Sequence, residues 1–330
     1  MCDKTPAACK PFAHRQPPQG CVTQSRAMSE LRALALAALL EPDPAAKCAL
    51  AQTLHASTAP DQAPPVETSG RAVAPATSGL AGGPGPRLSI AENRPPCQGE
   101  LPGRPVRPGL VHPAKVPRRS PHKPEGLAAL VHAIAHIEFN AINLALDAAW
   151  RFDGMPPAFH HDWVRVAAEE AYHHGLLAEL LRKLGHAYGD FDAHDNLWTM
   201  CLRTQDDIVA RMALVPRTLE ARGLDATPQI QNKLRAVGTP LALEAVEVLD
   251  IILRDEVGHV AIGNHWYRWL CAREGLDPVA HYPTLVVRYA APRLHPPFNA
   301  AARRRAGFSD EELAFLQAEH PAADRLTPVT

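Results

Sequence analysis

Two acid–imidazole pairs sit where a helical core should be apolar. Glu170 and His173 are three residues apart, so on a helix they project from one face. That face also carries Trp163, Val166, Leu177 and Leu184. Glu256 and His259 repeat the arrangement among Leu249, Ile252, Leu253, Val260 and Gly263, and Glu138 lies among Ile134, Ile137, Ala141, Ile142 and Ala145. Burying a lone ionised carboxylate is costly unless it is paired or bound to a metal. A chain with several such residues on its apolar stripes must bring them together.

The spacing indicates how. Glu138 precedes Glu170 by 32 residues and Glu220 precedes Glu256 by 36, separations that suit antiparallel helix pairs with facing midpoints. The pattern is a doubled unit, Glu and then Glu-x-x-His, twice over. Four carboxylates and two imidazoles are the donor set for two divalent cations inside a four-helix bundle. The candidate metal ligands are therefore Glu138, Glu170, His173, Glu220, Glu256 and His259. Pro216 should kink the helix one turn before Glu220, which leaves Glu244 and Glu247 as substitutes for it. His174 is the substitute for His173. Asp255 and Glu169, each next to a candidate ligand, are positioned to orient the imidazoles from behind. His132 and His136 read as helix-boundary residues, Tyr172 as packing sideways, and Arg303-Arg-Arg305 as a solvated face.

Proline marks the organisation of the chain, since 21 of the 33 fall in residues 1–124 and only five in residues 125–276. Residues 1–28 read as disordered, 29–56 as an N-terminal helical pair, and 57–123 as a Pro/Gly-rich linker whose stretch 102–119 lies extended along the folded part. Residues 124–273 read as the bundle and 274–330 as a C-terminal helical cap and tail. Within the bundle, helical periodicity covers 127–152, 160–184, 196–222 up to a stop at Gly223, and 241–272, with a short piece at 228–237. No alternating strand pattern occurs, so the fold class is all-α. Parallel second and third helices require the link 185–195 to travel the bundle's length. Its 11 residues reach about 36 Å at ~3.3 Å each, against about 38 Å for a 25-residue helix.

Composition excludes some partners. With 34 basic against 35 acidic residues, the net charge of −1 argues against a nucleic-acid coat or an anionic-membrane binder, although a tRNA substrate stays open. No uninterrupted apolar run approaches the ~18 residues of a membrane span. Seven cysteines without a C-x-x-C pair point to a reducing, cytoplasmic setting.

Leu130-Val-His-Ala-Ile-Ala-His-Ile-Glu138, Val166-Ala-Ala-Glu-Glu-Ala-Tyr-His173, Pro216-Arg-Thr-Leu-Glu-Ala-Arg-Gly-Leu-Asp225 and Arg254-Asp-Glu-Val-Gly-His-Val260 resemble an uncharacterised bacterial ferritin-like family of the carboxylate-bridged di-iron superfamily. The resemblance extends over most of residues 29–316, and the Glu spacing is more distantly similar to demethoxyubiquinone hydroxylase and the tRNA-modifying ferritin-like hydroxylase. It implies a ferritin-like bundle in which Glu170 and Glu256 bridge two metals. Glu138 and Glu220 would then be terminal ligands, and His173 and His259 would give one nitrogen to each ion. His174 departs from the aromatic expected at its position. The implied cofactor is two Fe ions, with Mn or Zn as alternatives. The expected function is an O2-activating oxidoreductase of hydroxylase type, acting on a small-molecule substrate with O2 and a separate electron donor. Ala141, Ala145, Ala148, Ala149 and Gly263 would leave room near the metals. The competing expectations are an iron-handling ferroxidase or storage protein and a metal-free helical interaction module.

Overall fold

The computed structural model describes residues 19–58 and 99–318. The expectations for residues 1–18 and for the linker stretch 59–98 lie outside the described residues. Within them the fold is all-α: beyond helices and turns, an isolated bridge joins Leu110 to Ala193. The helices are α1 (Gln19–Leu40), α2 (Pro44–Thr58), α3 (Pro124–Arg151), α4 (Pro157–Lys183), α5 (Asn196–Arg203), α6 (Ile208–Leu214), α7 (Ala221–Val237), α8 (Pro240–Glu274), α9 (Pro278–Arg288), α10 (Ala300–Arg305) and α11 (Asp310–Ala318). A π-helical segment, Val215–Glu220, joins α6 to α7. The first helix begins at Gln19 rather than at Ser29.

Local chemistry sets the helix ends. Thr239 caps α8 by accepting from the Ala242 amide, Pro240 occupies the first turn, and Gly275 closes the helix at φ 67°. α3 is long and apolar enough to cross a membrane by length and composition, but 72% of its apolar window is buried inside the protein. It is a core helix.

Side-chain pairings fix the helix directions. His160 Nδ1 meets Ala149 O at 2.8 Å and His174 Nδ1 meets Ala135 O at 3.0 Å, so α3 and α4 are antiparallel. Trp266 donates to Asp162 at 3.0 Å and Lys183 to Glu244 at 2.5 Å, so α4 and α8 are antiparallel. Gln231 donates to Asp250 at 2.6 Å, while Gly263 faces Pro216, so α7 and the π segment also oppose α8. α4 and α7 therefore run the same way.

The link between α4 and α5 returns along α3, and two histidines hold it there. His132 accepts from the Gly189 amide at 2.9 Å. His136 contacts Tyr188 Oη at 2.9 Å and the His194 carbonyl at 3.1 Å. Both imidazoles are buried, and burial pushes each down to about 4, so they are neutral anchors and not boundary residues. Residues 102–119 lie against this strap: Val111 donates to the Ala193 carbonyl at 2.8 Å, and Arg104 pairs with Asp195 at 2.7 Å.

The third long helix differs from expectation. It breaks at residues 204–207, restarts with Asp207 accepting from the Ala210 amide, and passes through Gly223 and Pro228 to Val237. A mid-helix glycine costs only about 1 kcal/mol, which packing overrides. Pro228 cannot donate to the Leu224 carbonyl, and Asn299 Nδ2 takes that acceptor at 3.1 Å. The C-terminal helices thus complete the bond that Pro228 leaves open. They also bury Arg303 against Asp225 at 2.6 Å and bring Glu312 to Arg217 and Arg268, so Arg303 is a structural ion pair and not a solvated face.

At the N-terminal side, Lys47 is fully buried and donates to the carbonyls of Leu39 at 3.0 Å and Gly103 at 2.9 Å, and to Asn143 Oδ1. This ammonium pins α1, α2 and the segment after residue 99 onto α3.

Candidate metal centre

Glu138, Glu170, His173 and Glu256 each offer a ligand atom, and these atoms lie within 4.8 Å of one another in the buried interior. Such a cluster can hold a metal ion. Glu138 comes from the middle of α3, Glu170 and His173 from α4, and Glu256 from α8. His173 Nδ1 is 3.3 Å from Glu138 Oε2 and 3.4 Å from Glu170 Oε2. His259, one turn beyond Glu256, places Nδ1 2.8 Å from Glu170 Oε1 and 3.6 Å from Glu256 Oε1. Glu170 thus turns one oxygen toward each histidine.

Behind each imidazole stands a carboxylate from the opposite helix. His173 Nε2 lies 3.2 Å from Asp255 Oδ2, and His259 Nε2 lies 2.7 Å from Glu169 Oε2. A carboxylate only accepts, so each Nε2 carries a hydrogen, and Nδ1 is the nitrogen that each ring turns toward the cluster. The crossing is reciprocal: α4 supplies the acid for the α8 histidine, and α8 supplies the acid for the α4 histidine.

Several ligand atoms make no hydrogen bond. Glu138 Oε2, Glu170 Oε1, Glu220 Oε2, Glu256 Oε2 and His259 Nδ1 are buried without a hydrogen bond. Native interiors rarely tolerate this, and a cation would satisfy all five. The electrostatics agree. Burial, then the neighbouring Glu170, pushes Glu138 up to about 7. Burial opposes charge on His173, but its contacts with Glu138 and Glu170 outweigh that and raise it to about 11. Glu220 is raised well above the usual carboxylate range by burial and then by Glu256 and Glu170. With protein charges alone the pocket is over-acidic, the condition a divalent cation relieves.

Glu220 stands apart from the tight group. It ends the π segment that follows from Pro216, where Thr218 Oγ1 donates to the Ala213 carbonyl at 2.7 Å. This wider turn carries Glu220 into the field of Glu256, Glu170 and Glu138 despite the proline. The substitutes are placed elsewhere. Glu244 pairs with Lys183, and His174 bonds to the Ala135 carbonyl while its ring packs edge-on to Tyr188 at 4.9 Å. Tyr172 is half exposed, with its ring 6.2 Å from that of His173.

A cavity of about 620 Å³ opens beside the carboxylates, with Glu138, Glu220 and Glu256 in its wall. Of the small residues expected to leave room, only Ala141 borders it. A Cβ on Gly263 would come within 2.6 Å of Pro216, so that glycine exists for helix packing. Gly223, read from the sequence as a helix stop, and Ala226 border it on α7. The missed signal was a pair of small residues three apart, one turn beyond Glu220.

A protein of Haemophilus influenzae, described as an uncharacterized protein, is 52% identical over 219 residues, covering 64% of this chain and 75% of its own length. No solved structure matches the chain. The model of the family described as "Protein of unknown function (DUF455)" matches residues 40–314, a span holding all six candidate ligands, and the chain belongs to that family.

Proposed function

We propose that the protein is a ferritin-like four-helix bundle around a carboxylate-bridged two-metal centre, and that it is an O2-activating oxidoreductase of hydroxylase type. The observation that carries this reading is the set of five buried ligand atoms without a hydrogen bond between two crossed Glu-x-x-His motifs. Support for the bundle comes from α3 and α8 each opposing both α4 and the α6–α7 rod. Asp147 on α3 pairs with Arg211 on α6 below the site, which continues that order. In this reading Glu170 and Glu256 would be shared by both ions, Glu138 and Glu220 would each hold one, and His173 and His259 would serve one ion each. Iron suits this oxygen and nitrogen set, with manganese and zinc as alternatives.

Two iron ions held this way supply the redox chemistry that activates O2, with electrons from a separate donor. The chain's own part is positional. Asp255 and Glu169 hold the imidazole planes with Nδ1 turned toward the carboxylates. Glu138, Glu220 and Glu256 face the cavity, whose wall also carries the apolar Ile134, Leu249 and Ile252. A chamber of this size favours an organic substrate over iron handling alone. A metal-free interaction module would leave the five ligand atoms stranded.

The test is anaerobic Fe(II) reconstitution followed by O2, read by absorbance and Mössbauer spectroscopy. Two irons per chain that oxidise to a spin-coupled diferric pair are expected. Failure to take up iron, or a mononuclear ferric product alone, contradicts the reading.

A further inference from the structure

The chamber beside the centre has two chemically different ends. Its inner wall is buried and carries Glu138 and Glu256 together with Leu249 and Ile252. Its mouth is exposed and carries Arg203 and Arg222, with Ile137 46% exposed beside them. Arg203 is held in place by the carbonyls of Tyr289 and Ala290, each at 3.3 Å. Arg222 makes no hydrogen bond or ion pair among the described residues.

These ends impose an orientation. Leu249 and Ile252 at the inner wall offer a negative group no hydrogen-bond donor, and the unengaged guanidinium at the mouth attracts one. The lining also holds the apolar Ile134, Ala141, Leu219 and Ile230, with Glu220 and a few neutral polar side chains among them. The volume, about 620 Å³, falls within the roughly 300–1,000 Å³ of small-molecule sites. We propose that the chamber binds a small amphipathic anion, its apolar end against the inner wall and its negative group at Arg222. The proposal deepens the oxidoreductase reading and rests on it for the consequence that an apolar carbon, not the charged group, is the part brought to the centre.

Ala226 and Gly223 allow a clean test, because they border the chamber and are not candidate ligands. A Cβ on Gly223 meets nothing within 4 Å, so this wall has space for a larger side chain. The probe is decanoate, titrated by calorimetry into the full chain with and without bound iron, with decylamine and acetate as controls. One decanoate per chain is expected, with decylamine and acetate binding at least about tenfold more weakly. Arg222→Gln should weaken decanoate about tenfold, and Ala226→Trp should abolish its binding, both at unchanged iron content and melting temperature. Decylamine binding as well as decanoate, no decanoate binding, or full binding in folded Ala226→Trp overturns the proposal. If Ala226→Trp does not fold, the exposed Arg222→Gln decides, and unaltered decanoate affinity there is equally fatal. Iron content is measured separately. A chain that loads two irons but ignores decanoate refutes the ligand class alone, and one that binds decanoate but no metal refutes the metal reading.

Discussion

His259 on α8 donates its Nε2 hydrogen to Glu169 on α4 across 2.7 Å, although the two are 90 residues apart. The reverse contact, His173 to Asp255 at 3.2 Å, makes the two helices mutually dependent. Each helix thereby fixes the ligand nitrogen of the other. Orienting carboxylates of this kind typically contribute 10–100-fold to metal affinity. Glu169→Gln and Asp255→Asn should each weaken one ion by about that factor and leave the other closer to its original affinity. Competition with a chelator of known affinity measures this, and unchanged binding of both ions in both variants would refute the orienting role.

Two glycines on α8 separate packing from propensity. A Cβ at Gly263 would meet Pro216 at 2.6 Å, whereas a Cβ at Gly258 meets nothing within 4 Å. Gly263→Ala should therefore destabilise by about 1–3 kcal/mol through overpacking. Gly258→Ala should be neutral or stabilise by up to about 1 kcal/mol, because alanine is the better helix former. Urea unfolding of the metal-free protein gives both values. Equal effects would show that Pro216 does not rest on Gly263.

Acid should unfold the protein through buried histidines that are not candidate ligands. Burial lowers His132, His136 and His160 from the usual 6.5 to about 4. Between those limits the unfolded chain binds more protons than the folded one, so stability is present above pH 6.5 and is lost as pH falls toward 4. From pH 7 to pH 5 the loss is about 2 kcal/mol for each histidine. His160→Gln, away from the strap, should remove roughly one such share of the slope. An unaltered pH profile in that variant would mean that His160 titrates normally.

How much of this is legible in the sequence depends on how far away the partner sits. That the two Glu-x-x-His pairs face each other is legible, because ionised groups on apolar stripes have few other uses. The passage of α7 through Gly223 is not, because the Leu224 carbonyl that Pro228 leaves open is filled by Asn299 from 75 residues on. The strap explains His132 and His136 only once Gly189 and Tyr188 are seen beside them. Lys47 is similar: a lysine on a short helix gives no sign that Asn143 and two carbonyls enclose its ammonium. Gly263 reads as open space until Pro216 is found against it.

Lys47 makes its own prediction. Lys47→Ala removes the donor to three buried acceptors and leaves a cavity, so a loss of several kcal/mol is expected. Lys47→Met keeps most of the volume and should lose less. Thermal unfolding of the two variants compares them, and equal melting temperatures to the parent in both would remove the lysine from the account of how the N-terminal helices attach.

The shared carboxylate is the centre of the account. Glu170 turns Oε1 toward His259 and Oε2 toward His173, at 2.8 and 3.4 Å, so its removal touches both halves of the site. Glu138 meets the His173 side, at 3.3 Å. Metal analysis of iron-reconstituted parent, Glu170→Ala and Glu138→Ala proteins tests this directly. The account predicts two ions per chain in the parent, none or one weakly held in Glu170→Ala, and one well retained in Glu138→Ala. Two ions per chain in Glu170→Ala, held as tightly as in the parent, would contradict it.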